Sequence, residues 1–302
     1  MTMKRSTIYI ALLWLCQVGY AQQQAMFTQY MFNGLVLNPA YAGSHETVSA
    51  TALAREQWTG IDGAPSTQTF SLHSPVVNQR FALGLVLLHD EIGVTDQTGA
   101  YLSYAYRIPV SENIKLSFGL QGGVTFFDAR LSEAFENDQV GIDVSESQGN
   151  FGFGTYIYSD RFYAGISVPQ LLENEFDRDN PDSDSRIVRH YFGTVGYVFD
   201  LSRSLKLKPN ILVKAVDGAP LEFDVNANFL IHDIVWLGVS WRSFDSFDAL
   251  VQFQVTPKLQ FGYAYDFATT SELRRVNGGS HEFMVNYRFG SNKSRIITPR
   301  YF

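Results

Sequence analysis

From about Thr47 to Phe289, apolar and polar residues alternate in short segments separated by turn residues. Ile114, Leu116, Phe118, Leu120, Gly122, Val124 and Phe126 interleave with Lys115, Ser117, Gly119, Gln121, Gly123 and Thr125. The same alternation runs through residues 221–231, 259–267 and 281–289. A period of two puts successive side chains on opposite faces of an extended chain, so each segment reads as a strand with one apolar and one polar face. Fourteen such segments start near Thr47, Thr67, Phe81, Gly99, Ile114, Asn150, Phe162, Arg189, Leu205, Leu221, Ile234, Ala249, Leu259 and Ser280.

The connections sort by parity. Those after even-numbered segments are short, as at residues 109–113, 159–161 and 232–233, while every long one (128–149, 169–187 and 268–279) follows an odd-numbered segment. Outer-membrane barrels have tight periplasmic turns, longer outside loops and an even strand count. A secreted double-sheet domain also alternates, but has no reason to sort its loops, and its outer face would be charged. Here the polar face mixes Gly, Ser, Thr, Asn and Gln with scattered charges, as a barrel interior does. Turning Lys115 toward the bilayer midplane would cost roughly 2–4 kcal/mol, which assigns the polar face to the lumen and the apolar face to lipid. Trp58, Tyr106, Phe126, Tyr158, Tyr191, Trp241, Phe267 and Phe289 lie near segment ends, where an aromatic girdle belongs. The expected fold is all-β: a single transmembrane antiparallel β-barrel of about 14 strands in the outer membrane, over residues 47–289.

Composition excludes the main alternative. Mean hydropathy is −0.07, and the longest apolar run of the body, residues 81–88, has eight residues against the roughly 18 of a spanning helix. Residues 1–21 read as a secretion signal, with Lys4 and Arg5, an apolar stretch at 8–16 and a small-x-small site at Gly19-Tyr20-Ala21. Trp14 and Leu15 are bulky where a lipoprotein signal has small residues, so no lipid anchor is expected. The only cysteine, Cys16, lies in this stretch, so the exported chain has no disulfide, thiolate metal site or Cys nucleophile. Removing Lys4 and Arg5 leaves 21 basic against 30 acidic residues, a net charge of −9. An acidic exported chain without a basic stripe is not a nucleic-acid binder.

Two flanks fall outside the strands. Residues 22–46 hold an apolar cluster of Met26, Phe27, Tyr30, Met31, Phe32, Leu35 and Leu37 that must be buried: in the lumen, at the periplasmic mouth or on a partner. A tail runs over residues 290–302. An even strand count puts both flanks on the periplasmic side.

Candidate chemistry is sparse. Glu222, Asp224, Asn226 and Asn228 form a polar ladder on one strand face, with Lys206, Lys208 and Lys214 on the preceding strand. The ladder reads either as a surface gripping a polypeptide or as the paired charges that a closed lumen needs. Acidic residues from Glu173 to Asp184 do not have EF-hand spacing, and Asp179-Asn180-Pro181-Asp182 reads as a turn, so no metal site is assigned. Ser71 and His73 share a strand face, but no orienting carboxylate follows, and His281 faces away from Ser280 and Glu282. No catalytic residue and no cofactor are expected.

Several stretches, taken in order, resemble the PorP/SprF family of type IX secretion system outer-membrane proteins. They are Gln29-Tyr30-Met31-Phe32-Asn33, Asn38-Pro39-Ala40-Tyr41-Ala42-Gly43-Ser44, Gly165-Ile166-Ser167-Val168-Pro169-Gln170-Leu171, and residues 214–228 with Phe223-Asp224-Val225-Asn226-Ala227-Asn228. Trp236-Leu237-Gly238-Val239-Ser240, Gly262-Tyr263-Ala264-Tyr265-Asp266, Gly279-Ser280-His281-Glu282 and Pro299-Arg300-Tyr301-Phe302 complete the series. Val276 stands where the resemblance leads one to expect an aromatic residue. The resemblance implies a barrel that binds an adhesin-like secreted partner through its C-terminal sorting domain, for export and surface retention in adhesin-secreting, often gliding, Gram-negative bacteria. It also implies contacts with periplasmic components of the secretion machinery. Glu222, Asp224, Asn226, Asn228 and Lys214 are the lumen or partner-binding candidates, and Pro299, Arg300, Tyr301 and Phe302 the tail docking candidates. The alternative, from a different class, is a diffusion channel for small solutes.

Overall fold

The computed structural model describes residues 26–76, 79–134, 143–173, 188–243, 245–268 and 277–290. Fourteen strands form one antiparallel sheet: β1 (Val48–Glu56), β2 (Ser66–Pro75), β3 (Phe81–Ile92), β4 (Thr95–Pro109), β5 (Lys115–Ala129), β6 (Val144–Tyr158), β7 (Phe162–Val168), β8 (His190–Tyr197), β9 (Leu205–Val216), β10 (Glu222–Ile231), β11 (Val235–Arg242), β12 (Ser246–Thr256), β13 (Leu259–Ala268) and β14 (Ser280–Phe289). A two-residue piece, Phe199–Asp200, continues β8 past an irregularity at Val198 and pairs with β9. Every strand pairs with its sequence neighbours. β1 also pairs with β14, from Val48 opposite Phe289 to Glu56 opposite His281, so the barrel closes without a free edge.

Eleven strands start within a residue of the positions read from the pattern; β4, β6 and β12 start earlier, at Thr95, Val144 and Ser246. The first residues of β4 and β6 are polar on both faces, with Asp96, Thr98, Ser145 and Ser147 pointing outward and Gln97, Glu146 and Gln148 inward. Where a strand rises past the hydrocarbon its outer face meets water, and the alternation that marks it disappears. β4, β5 and β6, at fifteen residues each, therefore stand above the apolar belt.

The two faces follow the polarity of their surroundings. Leu102, Leu120 and Val239 point outward with 69%, 64% and 62% exposure, whereas Ser117, Gln252 and Glu282 point inward with none. Tyr106, Phe126, Tyr191, Trp241, Phe267 and Phe289 lie on the outer face. Tyr158 does not belong to the girdle: it shares the inward face of β6 with Tyr156 and packs on it, ring centroids 5.3 Å apart. Trp58 lies in the connection after β1.

Eight-stranded barrels fill with their own side chains, and sixteen-stranded ones hold water. Fourteen strands leave a lumen too wide for the first solution, and here residues 26–46 occupy it. The segment makes three short 3-10 turns, Tyr30–Phe32, Gly34–Val36 and Pro39–Tyr41. Asn38 caps the third by accepting the Ala40 N–H at 2.9 Å, and Pro39 stands where a missing N–H costs nothing. Phe27, Tyr30, Met31, Phe32, Leu35, Val36, Leu37, Ala40 and Tyr41 are all buried, against inward residues such as Val86, Tyr156, Leu212, Trp236 and Met284. Fully burying one large apolar side chain contributes about 1.5–3 kcal/mol, so this segment supplies much of the core. The parity rule holds for the junction at Glu46 and Thr47, but the described remainder of the segment runs up the lumen rather than into the periplasm.

The lumen wall is carved to receive the segment. A Cβ on Gly119 would overlap the backbone of Pro39 and Ala40, and one on Gly154 would overlap the Asn38 side chain. Gly119→Ala should therefore destabilise the barrel by at least the roughly 1–3 kcal/mol of an overpacked core. Outward-facing Gly122, whose nearest Cβ neighbour would be Phe151 at 3.5 Å, should tolerate alanine. The temperature at which folded barrel is lost on semi-native gels checks both, and equal temperatures for the two variants would refute the cradle.

Candidate functional site in the barrel lumen

Near the outer end of the lumen the strands present buried charges to the start of the segment. The Glu282 carboxylate accepts two successive backbone N–H groups, Thr28 at Oε2 and Gln29 at Oε1, both at 2.8 Å. Arg55 bridges Glu282 at 3.2 Å and Asp266 at 2.5 Å, and the Thr28 hydroxyl donates to Asp266 at 2.8 Å. Arg242 pairs with Asp224 and donates to the Phe27 carbonyl at 3.4 Å. Alternation along β1, β11, β13 and β14 puts these charges on the inward face, where each needs a partner.

Deeper down, the Gln29 side-chain oxygen accepts from Gln252 at 2.9 Å, beside Gly262. The Tyr30 hydroxyl donates to Asn210 and accepts from Asn226, each at 2.9 Å. Phe32 meets Trp236 edge-on at 5.5 Å, and the Lys208 ammonium stands 4.5 Å from the Phe32 ring centre, a cation–π contact. The Asn38 amide reaches the Thr155 carbonyl at 3.0 Å, and Ser167 donates to the Leu37 carbonyl at 2.6 Å. At the periplasmic mouth Tyr41 stacks edge-on against His45, His73 and Tyr156, the His73 ring accepts from the Gly43 N–H, and Glu46 pairs with Lys115.

The lumen candidates read from the sequence each have a place in this arrangement. Asp224 pairs with Arg242 across the β10–β11 seam, and Lys214 pairs with Glu222 at 2.7 Å across the β9–β10 seam. Asn226 binds Tyr30, and Asn228 is buried opposite Lys208. Lys206 pairs with Asp233. Ser71 donates to Asn33, and His281 meets the Tyr263 hydroxyl at 2.8 Å. The tail residues Pro299, Arg300, Tyr301 and Phe302 and most of the acidic stretch at 173–184 lie outside the described residues. Glu282, Arg55, Asp266, Tyr30 and Asn38 were not singled out as site residues from the sequence. The available signal was a charge or amide on the polar face of a strand near its outer end, or in the apolar N-terminal segment.

Chemically, the arrangement holds a peptide of short 3-10 turns by its backbone groups at Thr28, Gln29 and Leu37 and buries its side chains. From the outer-end charge cluster to the mouth, inward side chains at successive levels (Arg55, Asp266, Gln252, Asn226, Lys208, Ser167 and Arg107) are 4% exposed or less.

Compared with known proteins, the chain matches the family model described as type IX secretion system membrane protein PorP/SprF over residues 19–287. Among curated proteins, none matches. Among solved structures, the outer membrane protein Omp33 of Acinetobacter baumannii is similar at 8% identity and a TM-score of 0.46, over 81% of this chain and 98% of that one. A FadL homologue of Pseudomonas aeruginosa is similar at 14% identity and a TM-score of 0.44, over 81% and 89%.

Glu282→Ala should leave two buried N–H groups and part of Arg55 unpaired, a loss of about 3–5 kcal/mol for a broken buried pair. We expect a lower unfolding midpoint together with faster protease cleavage within residues 26–46. An unchanged cleavage rate would mean that Glu282 does not hold the segment.

Proposed function

The chain belongs to the PorP/SprF family of type IX secretion system membrane proteins, and from that premise we propose that it is a non-conducting, non-catalytic outer-membrane barrel that binds a secreted partner. The partner is an adhesin-like protein, recognised through its C-terminal sorting domain for export and surface retention. Periplasmic components of the machinery are the second class of partner, and the tail at 299–302 is their candidate dock. Residues 1–21 direct export and are then removed.

One observation carries the reading: the lumen is occupied by the chain's own residues 26–46. Glu222, Asp224, Asn226, Asn228 and Lys214 then serve the barrel's own packing, around a segment that takes up space a threaded polypeptide would need. A partner is met outside the lumen, on the loops of the outer end or on the periplasmic turns. The same filling counts against the diffusion channel, which needs a continuous aqueous path.

Two measurements test this. A tagged barrel drawn from native outer membranes in mild detergent should bring down one large secreted protein near stoichiometry, and Asp224→Ala with Asn226→Ala should retain it in proportion to barrel abundance. Purified barrel in planar bilayers should pass no steady ionic current. Recovery of the barrel alone, together with steady conductance, would replace partner binding with the channel.

A further inference from the structure

Asp248, on the inward face of β12, is 3% exposed, and neither of its carboxylate oxygens has a hydrogen-bond partner among the described residues. The Ser246 hydroxyl on the same face also lacks one. Across the strands, Ser240 of β11 stands opposite Asp248 on one side and Asp266 of β13, a second carboxylate, on the other. The two guanidiniums of this level are engaged elsewhere. Arg55 bridges Asp266 and Glu282, and Arg242 holds Asp224 and Asp245. A buried carboxylate without a partner is costly, so the position calls for a cation.

The path of the N-terminal segment identifies that cation. Its first described residues are held on both sides of Asp248: Arg242 of β11 donates to the Phe27 carbonyl, and Asp266 of β13 accepts from the Thr28 hydroxyl. Below this level the lumen is taken by Gln29, Tyr30 and Phe32, so the room left for residues before Met26 is at the outer end. Residues 22–25, Gln-Gln-Gln-Ala, lie outside the described residues and carry no charged side chain. Hydrolysis of the Ala21–Gln22 bond, however, leaves Gln22 with an α-amino group, which is charged at neutral pH.

Four residues span at most about 14 Å, enough to bring that group from Met26 to a neighbouring strand about 4.8 Å away. A metal ion fits less well, since no three His, Cys, Asp or Glu side chains among the described residues gather as ligands. We propose that the α-ammonium of Gln22 is the counter-ion of Asp248, so that the new N-terminus closes the outer end of the lumen. This rests on the removal of residues 1–21 given above.

Acetylation of barrels purified from outer membranes tests the pairing. An N-hydroxysuccinimide ester of acetate is applied at neutral pH to folded and to heat-unfolded protein, and the N-terminal peptide is read by mass spectrometry. That peptide should begin at Gln22, and its α-amine should react about tenfold more slowly in the folded barrel, the factor that 1.4 kcal/mol of pairing gives. Asp248→Asn, of the same shape but uncharged, should bring the folded rate up toward the unfolded one, while Asp217→Asn, at an exposed acidic site, should not. Folding of the variants is checked by mobility on semi-native gels, and the wild-type comparison needs no variant. Equal rates in folded and unfolded wild type would overturn the pairing, as would a folded rate unmoved by Asp248→Asn. So would an N-terminus found as pyroglutamate, the ring formed when the α-amine displaces ammonia from the Gln22 side chain. A start elsewhere than Gln22 would overturn removal at Ala21 as well, so the two failures are told apart.

Discussion

Everything in this molecule depends on how a fourteen-stranded wall fills its own interior. A barrel of this girth encloses more space than its inward side chains can occupy, and a hydrated lumen would give no hydrophobic stabilisation from within. Residues 26–46 resolve the conflict by entering as the core, laying eight large or branched apolar side chains against inward Val86, Leu212, Trp236 and Met284. The lipid-facing surface gains nothing comparable from packing, since lipid tails are as apolar as the residues that touch them. The apolar interior is thus built around a segment that belongs to no strand.

That arrangement gives the polar face of the strands its meaning. A lumen wall of Asn, Gln, Asp, Glu and Arg looks like the lining of an aqueous pore, yet here it satisfies the backbone and side-chain polar groups of a buried peptide. Glu282 takes two N–H groups, Asn226 and Asn210 share the Tyr30 hydroxyl, and Ser167 serves the Leu37 carbonyl. Several of the stretches that carry the family resemblance meet at this contact. Gly165 and Ser167 flank Asn38 and Leu37, Trp236 meets Phe32, Gly262 clears Gln29, and Glu282 holds Thr28. What these motifs have in common is a seat for the N-terminal segment.

The outer surface follows a separate logic, set by lipid. Large apolar side chains cover it along the strands, as at Leu102, Leu120, Val239 and Phe283, and Ala164 and Gly193 are small residues on that face. The projecting ends of β4–β6 mark the level at which water replaces hydrocarbon, since their outer residues turn polar together.

The alternation of residues determined by itself the strand number, the closed antiparallel architecture and which face meets lipid, because a period of two and a hydrophobic solvent leave little other choice. It was readable at Ile114–Phe126 and failed at Thr95–Thr98, where both faces meet water. It also misplaced Tyr158, whose position near a strand end says nothing of its face until the register is known. Only the tertiary structure decided what fills the lumen. Met26–Leu37 announces itself as apolar but has no period, so sequence alone offers three places to bury it. The choice among them rests on glycines and buried charges far apart in the chain, such as Gly119 beneath Ala40 and Glu282 beside Thr28. Such pairs come together only when β1 meets β14 and the wall closes around the segment.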